Sequence, residues 1–143
     1  AYVHVAHDCI VGDHTILSNA VQIGGHVEIG NHVIIGGMTP VHQFCKVGDY
    51  SFTGGGYRIV QDIPPYIMAM NEPLVYSGLN IIGLRRQNFK EESRKTLKQV
   101  YKLIYQSSLN RSQAVEKIKL EFDVTPEINN ILNFIKNSER GLI

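Results

Sequence analysis

Apolar positions in the first sixty residues recur at every sixth place. Stepping by six from Val5 meets Val11, Leu17, Ile23, Ile29, Ile35, Val41, Val47, Thr53 and Ile59, so nine of ten positions are aliphatic. The next position is Gly at six of ten, among them Gly12, Gly24, Gly30 and Gly36. Four places after each aliphatic stand small or β-branched residues, from Cys9, Thr15 and Val21 to Cys45 and Ser51. An α-helix has no such period. Short strands joined by tight turns do, with the aliphatic pointing inward and Gly supplying turn conformations that a side chain would strain. The pattern predicts a hexapeptide-repeat parallel β-helix over residues 1–64, with three hexads to each coil.

Residues three hexads apart then stack, roughly 4.8 Å per coil. His7 falls in one column with Gly25 and Gln43, and His42 in the next with Gly24. His26 adjoins Gly25, and His4 precedes His7 by three. Four imidazoles are therefore expected along one edge of the prism, around a bare backbone at Gly24–Gly25. A polar, ionisable cluster of this kind marks a functional site. His14 and His32 form a column on a different edge and read as solvated turn residues. Cys9 and Cys45 are two coils apart, about 10 Å, beyond disulfide reach, and read as free core thiols.

The repeat breaks at "QDIPPYIMAMNEP", read as a loop over 65–76, and periodicity becomes helical over 77–143. Helices are predicted over 78–87, over 91–106, after an Asn110 N-cap, and after a Thr125 N-cap with Pro126 at the first helical position, the last ending at Gly141. The expected class is mainly β: a solenoid followed by a C-terminal α-helical domain.

Composition adds little until it is split. The 143 residues are 43% hydrophobic and 19% charged, as in globular chains. No apolar run is long enough to span a bilayer, and nothing points to nucleic acid. Residues 1–73 carry six acids against two bases, whereas residues 74–143 carry twelve bases against seven acids. A basic second region suits an acidic partner. The chain starts without Met, and ten hexads make little more than three coils. A fragment of a longer protein, inactive alone, is the expectation.

The segments "HVAHDC", "GGHVEIG", "IIGGMTPVHQFC", "QDIPPY", "GLNIIGLRR" and "RGLI" together resemble the C-terminal half of the bacterial UDP-N-acetylglucosamine O-acyltransferase family. The resemblance covers the whole chain. It implies left-handed coils, a homotrimer with active sites between neighbouring subunits, and a cytoplasmic location. It implies transfer of an (R)-3-hydroxyacyl group from acyl carrier protein to the 3-hydroxyl of UDP-N-acetylglucosamine, the first step of lipid A synthesis. By the same resemblance His7 is the general base, Asp8 holds its ring, and the Gly25 N–H faces the oxyanion. His4, His26, His42 and Gln43 line the cleft, and Asn80 and Arg86 contact the nucleotide. Phe52 and Gly55 match acyl-length determinants, and a glycine at 55 leaves room for a long chain. No metal or cofactor is required, because a thioester is already activated. Arg58, Arg85 and Arg86 are candidates for carrier-protein docking. Ile82 stands where the family often has a carboxylate, and Gln87 where it often has a second Arg.

Three other readings are open. The related N-acyltransferase shares the solenoid but lacks the "GGMTPVHQF" pattern. A hexapeptide-fold carbonic anhydrase holds zinc on three histidines between subunits, whereas the spacing here spreads the histidines over several coils. A non-catalytic solenoid would serve binding or structure.

Overall fold

The computed structural model describes residues 1–143. Nine two-residue strands, β1 (His4–Val5) to β9 (Phe52–Thr53), follow one another at six-residue intervals. They form three parallel sheets, β1-β4-β7, β2-β5-β8 and β3-β6-β9, the faces of a triangular prism. The register is three hexads throughout, for example His4↔Gln22↔Pro40 and Ile16↔Ile34↔Phe52. Val21, Val27, Val33, Thr39, Cys45 and Ser51 are fully buried inside the prism, as are Ile23, Ile29 and Ile35 to within 2%. Cys9 and Cys45 are free thiols, and burial pushes the Cys45 thiol up to about 11.

The glycines serve a different purpose from the one their turn-forming tendency suggests. The left-handed corner residue is two places further on: Asp8, His14, Ala20, His26, His32, Met38, Phe44 and Tyr50 all have φ between 54° and 65°, and Gly56 continues the series. None of Gly12, Gly24, Gly30, Gly36 and Gly48 has positive φ. They are glycine because the next coil lies against them. A Cβ on Gly36 would sit 2.3 Å from the Gly55 nitrogen, and one on Gly48 2.4 Å from the Pro65 nitrogen. The left-handed corners cost about 1–2 kcal/mol each for a side-chain-bearing residue. They are held by hydrogen bonds between coils, such as His26 N–H to the His7 carbonyl (3.1 Å) and Phe44 N–H to the Gly25 carbonyl (3.0 Å).

The stretch over 65–76, read as loop, contains one strand and the start of a second. The fourth coil is shortened by two positions. Val41 still bridges Ile59 at the full interval of three hexads, but Val47 bridges Ile63 and Thr53 pairs with Ala69, each two places early. The period of six therefore fails while the solenoid continues as β10 (Ile67–Met70), parallel to β9. The antiparallel β11 (Val75–Leu79) then turns back on β10.

Four helices follow: α1 (Ile81–Arg86), α2 (Glu91–Tyr105), α3 (Arg111–Glu121) and α4 (Pro126–Asn137). Asn110 and Gln113 form a reciprocal capping box on α3, and the Thr125 side chain caps α4 with Pro126 in its first turn. Helix α1 starts later than the periodicity suggests, at Ile81, because Asn80 is its cap. Helix α4 ends at Asn137, short of Gly141. The segment beyond leaves the helix to pair with the solenoid: Asp62 N–H donates to the Gly141 carbonyl, Ile143 N–H to the Asp62 carbonyl, and Leu142 bridges Asp62.

The helices share one apolar core with the last coil, a continuous cluster of 25 buried residues running from Val21 to Ile131. Leu97, Val100, Tyr101 and Ile104 supply the buried stripe of α2, and the Tyr101 hydroxyl donates to the Pro65 carbonyl. On α4, Asn130 donates to Asp49 Oδ2 and the Tyr66 hydroxyl, each at 3.0 Å. The boundary expected at residue 77 falls inside β11, and the change to helix at Ile81 comes without a break in packing. No helix is long and apolar enough to cross a membrane.

Gly36→Ala is expected to lower the free energy of unfolding by ~1–3 kcal/mol, because backbone is all that could yield to the new methyl group. Denaturant titration of the two proteins measures this, and an unchanged midpoint would mean that the coils can move apart.

Candidate active site

The corner of the prism at residues 6–8, 24–26 and 42–44 concentrates imidazoles because its turns, at 7–8, 25–26 and 43–44, carry exposed side chains such as those of His7 and His26. His7 and Asp8 occupy it in the first coil, Gly25 and His26 in the second, Gln43 and Phe44 in the third. The His7 ring lies over Gly25: a Cβ there would be 2.8 Å from both Cε1 and Nε2 of the imidazole. Glycine is what lets the ring settle against the next coil. Gly25 is buried; its carbonyl accepts from Phe44 N–H at 3.0 Å, and its own N–H is paired with no group of the chain.

Asp8 stands behind His7. Its Oδ2 is 2.9 Å from His7 Nδ1 and 3.8 Å from His26 Nε2. A carboxylate bonded at Nδ1 fixes the ring orientation and leaves Nε2 as the free nitrogen. Hydrogen bonding to His7, and then the nearby His26, hold the Asp8 carboxyl below its ordinary value. The His26 ring stands edge-on to His7 at 5.1 Å and stacks flat on Phe44 at 4.8 Å, with 6° between planes. That stacking distance is the coil spacing itself: corner residues repeat in register, so aromatic rings at corners pile up.

The other predicted residues are placed less uniformly. His42 and Gln43 share this corner, exposed, with His42 Nδ1 3.2 Å from the Gln43 carbonyl. His4 does not join it. It lies exposed in β1, in register with Gln22 and Pro40 on a flat face. The expectation that the histidines are too dispersed to converge is corrected for two of them. Donor atoms of His7, Asp8 and His26 all lie within 4.8 Å of one another, because the left-handed corner points Asp8 and His26 the same way. Within one copy of the chain the converging donors are two imidazoles and one carboxylate.

Asn80 and Arg86 lie at the adjacent corner. His14, His32 and Tyr50 stack there at 4.9 and 4.8 Å, with Tyr66 beyond, and line a cleft with Asn80, Gly83 and Arg86. His14 and His32 are turn residues as expected, His14 exposed and His32 half-buried, and they also belong to an aromatic ladder beside α1. The only sequence signal for this was their spacing of three hexads. Asn80 is buried, and its side chain is engaged within the chain: Nδ2 donates to the Tyr50 carbonyl at 2.9 Å, and Oδ1 accepts from Gly83 N–H. It ties α1 to the solenoid. Arg85 and Arg86 are exposed in the last turn of α1, where positive charge suits the helix end.

Phe52 and Gly55 lie away from the His7 corner. Phe52 is half-buried in β9, in one column with Ile16, Ile34 and Met68, and so continues the outer face beside the cleft. A Cβ on Gly55 would be 2.9 Å from the Gly37 carbonyl. That glycine is therefore required by stacking, whatever room it leaves outside. Arg58, a docking candidate, is engaged by Glu72: its backbone N–H donates at 3.0 Å and its guanidinium at 3.3 Å.

Comparison with known proteins decides the family. Residues 62–143 match the family model described as UDP N-acetylglucosamine O-acyltransferase, domain 2. The chain belongs to the UDP-N-acetylglucosamine O-acyltransferase family. It is 43% identical over all 143 residues to the acyl-[acyl-carrier-protein]–UDP-N-acetylglucosamine O-acyltransferase of Thiobacillus denitrificans, covering 55% of that protein. A solved UDP-N-acetylglucosamine acyltransferase from Bacteroides fragilis superposes with a TM-score of 0.96 at 48% identity, over 99% of this chain and 55% of that one. One from Moraxella catarrhalis gives 0.90 at 43% identity, over 99% and 55%. The chain spans about half the length of the curated relatives it matches.

The Asp8 carboxyl should titrate below the ordinary aspartate value of about 3.9. Because the native value is depressed, Asp8 contributes stability above the unfolded-state value, lost as pH falls through the native one. Carbon NMR of the Asp8 carboxyl measures it. His7→Gln is expected to raise the midpoint, and an unchanged midpoint would remove His7 as the cause.

Proposed function

We propose that the protein carrying this chain transfers an (R)-3-hydroxyacyl group from acyl carrier protein to the 3-hydroxyl of UDP-N-acetylglucosamine, the opening step of lipid A synthesis. The observation that carries the reading is the His7 imidazole lying over Gly25 with Asp8 behind its Nδ1, in a chain of this family.

The chemistry follows from that geometry. His7 Nε2 removes the proton from the sugar 3-hydroxyl as its oxygen bonds to the thioester carbonyl carbon. The carbonyl oxygen becomes an oxyanion, and the unpaired N–H of Gly25 is the donor that receives it. Collapse breaks the carbon–sulfur bond, and the imidazolium returns its proton to the leaving thiolate. Asp8 stabilises the imidazolium between those two transfers. A positioned base contributes about 10²–10⁴ in rate, and one oxyanion donor about 10²–10³.

The distribution of the remaining residues favours a site shared between copies of the chain. Asn80, Arg86 and Phe52 belong to a corner and a face that the His7 corner of the same copy does not meet. A homotrimer that sets the His7 corner of one subunit against the next subunit's His14–Asn80 cleft would join base, nucleotide contacts and acyl groove. His42 and Gln43 would flank the base, and His4 would line the approach. Arg85 and Arg86, both exposed, are the better docking residues for an acidic carrier protein, because Arg58 is engaged by Glu72. The free thiols fit a reducing, cytoplasmic setting.

His7→Ala in the full-length protein is expected to reduce formation of the 3-O-acyl sugar by roughly a hundredfold or more. Transfer that survives the change would remove His7 as base, and no transfer by the unaltered protein would end the acyltransferase reading. With a series of acyl carrier proteins, the longer 3-hydroxyacyl chains are expected to be preferred. A preference for short chains in the unaltered protein would contradict the role given to Gly55.

A further inference from the structure

We propose that His7, Asp8 and His26 form a binding site for a transition-metal cation, Zn(II) above all, and that its occupancy switches off His7 as a base. The binding stands on the geometry; the switching rests on the acyl-transfer reading.

Three donors from two successive coils converge here. Asp8 Oδ2 lies 2.9 Å from His7 Nδ1 and 3.8 Å from His26 Nε2, and all three donor atoms fall within 4.8 Å of one another. Ligands on a tetrahedral zinc at about 2.0–2.1 Å are roughly 3.4 Å apart. Rotations of exposed side chains close the remaining difference, and a fourth position is left for water. Two of the three donors are already oriented. Asp8 and His26 occupy equivalent left-handed corners, at φ of 59° and 58°, and the His26 ring is laid flat on Phe44. Two imidazoles and one carboxylate prefer Zn(II), Co(II), Ni(II) or Cu(II) over the hard cations Mg(II) and Ca(II). The second histidine pair of the solenoid is a natural control. His14 and His32 stack with only 21° between planes at 4.9 Å, and no carboxylate completes a set of donors there.

Occupancy and catalysis exclude each other for a tautomeric reason. A metal on His7 Nδ1 displaces the Asp8 hydrogen bond and leaves the ring proton on Nε2. That nitrogen is the one that must accept the sugar hydroxyl proton, so the metallated ring is no base.

The test titrates the purified protein with ZnCl2 by calorimetry and with CoCl2 by visible absorption. It compares the unaltered chain with His26→Phe, Asp8→Asn and His14→Phe. Phenylalanine suits the His26 corner, because Phe44 holds the equivalent corner one coil on at φ 65°. Thermal melting verifies that each variant is folded. Expected are one ion per chain, cobalt d–d bands, at least tenfold weaker binding in His26→Phe and Asp8→Asn, and no change in His14→Phe. Absence of saturable binding, or binding unaffected by His26→Phe, overturns the site. Acyl transfer by the unaltered protein should fall in step with zinc occupancy. Zinc that binds without slowing transfer overturns the switching role. The cobalt bands are read without substrate, so a protein that binds cobalt but transfers no acyl group would sink the acyl-transfer reading and leave the metal site standing.

Discussion

Everything in this molecule depends on how closely one coil lies on the next. The backbones approach within hydrogen-bonding distance at each strand and each corner, and the hexad glycine is the point of nearest approach. With Cβ positions as near as 2.3 Å to the following coil's backbone, any side chain there would push two coils apart. A separation of that kind would break a whole rung of hydrogen bonds. The close stacking also fixes the spacing of every column of side chains, on the inside and on the outside. Inside, it packs Val21, Val27 and Val33 to full burial. Outside, it sets corner side chains one coil spacing apart, which is the separation at which aromatic rings stack.

The candidate site is a direct consequence. A left-handed corner aims its side chain outward and at the same angle in each coil, so Asp8 and His26 approach one another although they belong to successive coils. Gly25 gives the His7 ring a surface to lie on and leaves a main-chain N–H beside it. The charge at the corner is coupled: one carboxylate oxygen faces two imidazoles, and this holds the acid ionised. The proposed catalysis by base and oxyanion donor and the proposed capture of a metal ion draw on the same corner. The two proposals differ in whether Nδ1 of His7 carries a proton or a cation.

The helical region adds fixing points instead of a second core. Asn130 reaches Asp49 and Tyr66, Tyr101 reaches Pro65, and Asn80 reaches Tyr50. Each ties a helix to a corner of the solenoid. Asp62, buried in the last coil, accepts from Lys46 N–H and from the Ser138 hydroxyl, so the chain's end is tied back to the same coil. These contacts set the position of α1, and with it Arg85 and Arg86, relative to the aromatic ladder.

Much of this was legible in the letters. The six-residue period determines coil length, inner and outer positions and the column in which each histidine stands, because stacking repeats at a fixed chain interval. The N-caps at Asn110 and Thr125 are local chemistry and were equally readable. Tertiary structure alone decided three things. The fourth coil is cut short, which hides β10 from any search for the period. The glycines answer to a neighbour one coil away and not to their own φ, a distinction no local propensity carries. And of the four histidines assigned to one edge, only His7 and His26 meet Asp8. Which imidazoles converge depends on whether a residue falls on a strand or on a corner, and on the direction a left-handed corner gives to its side chain.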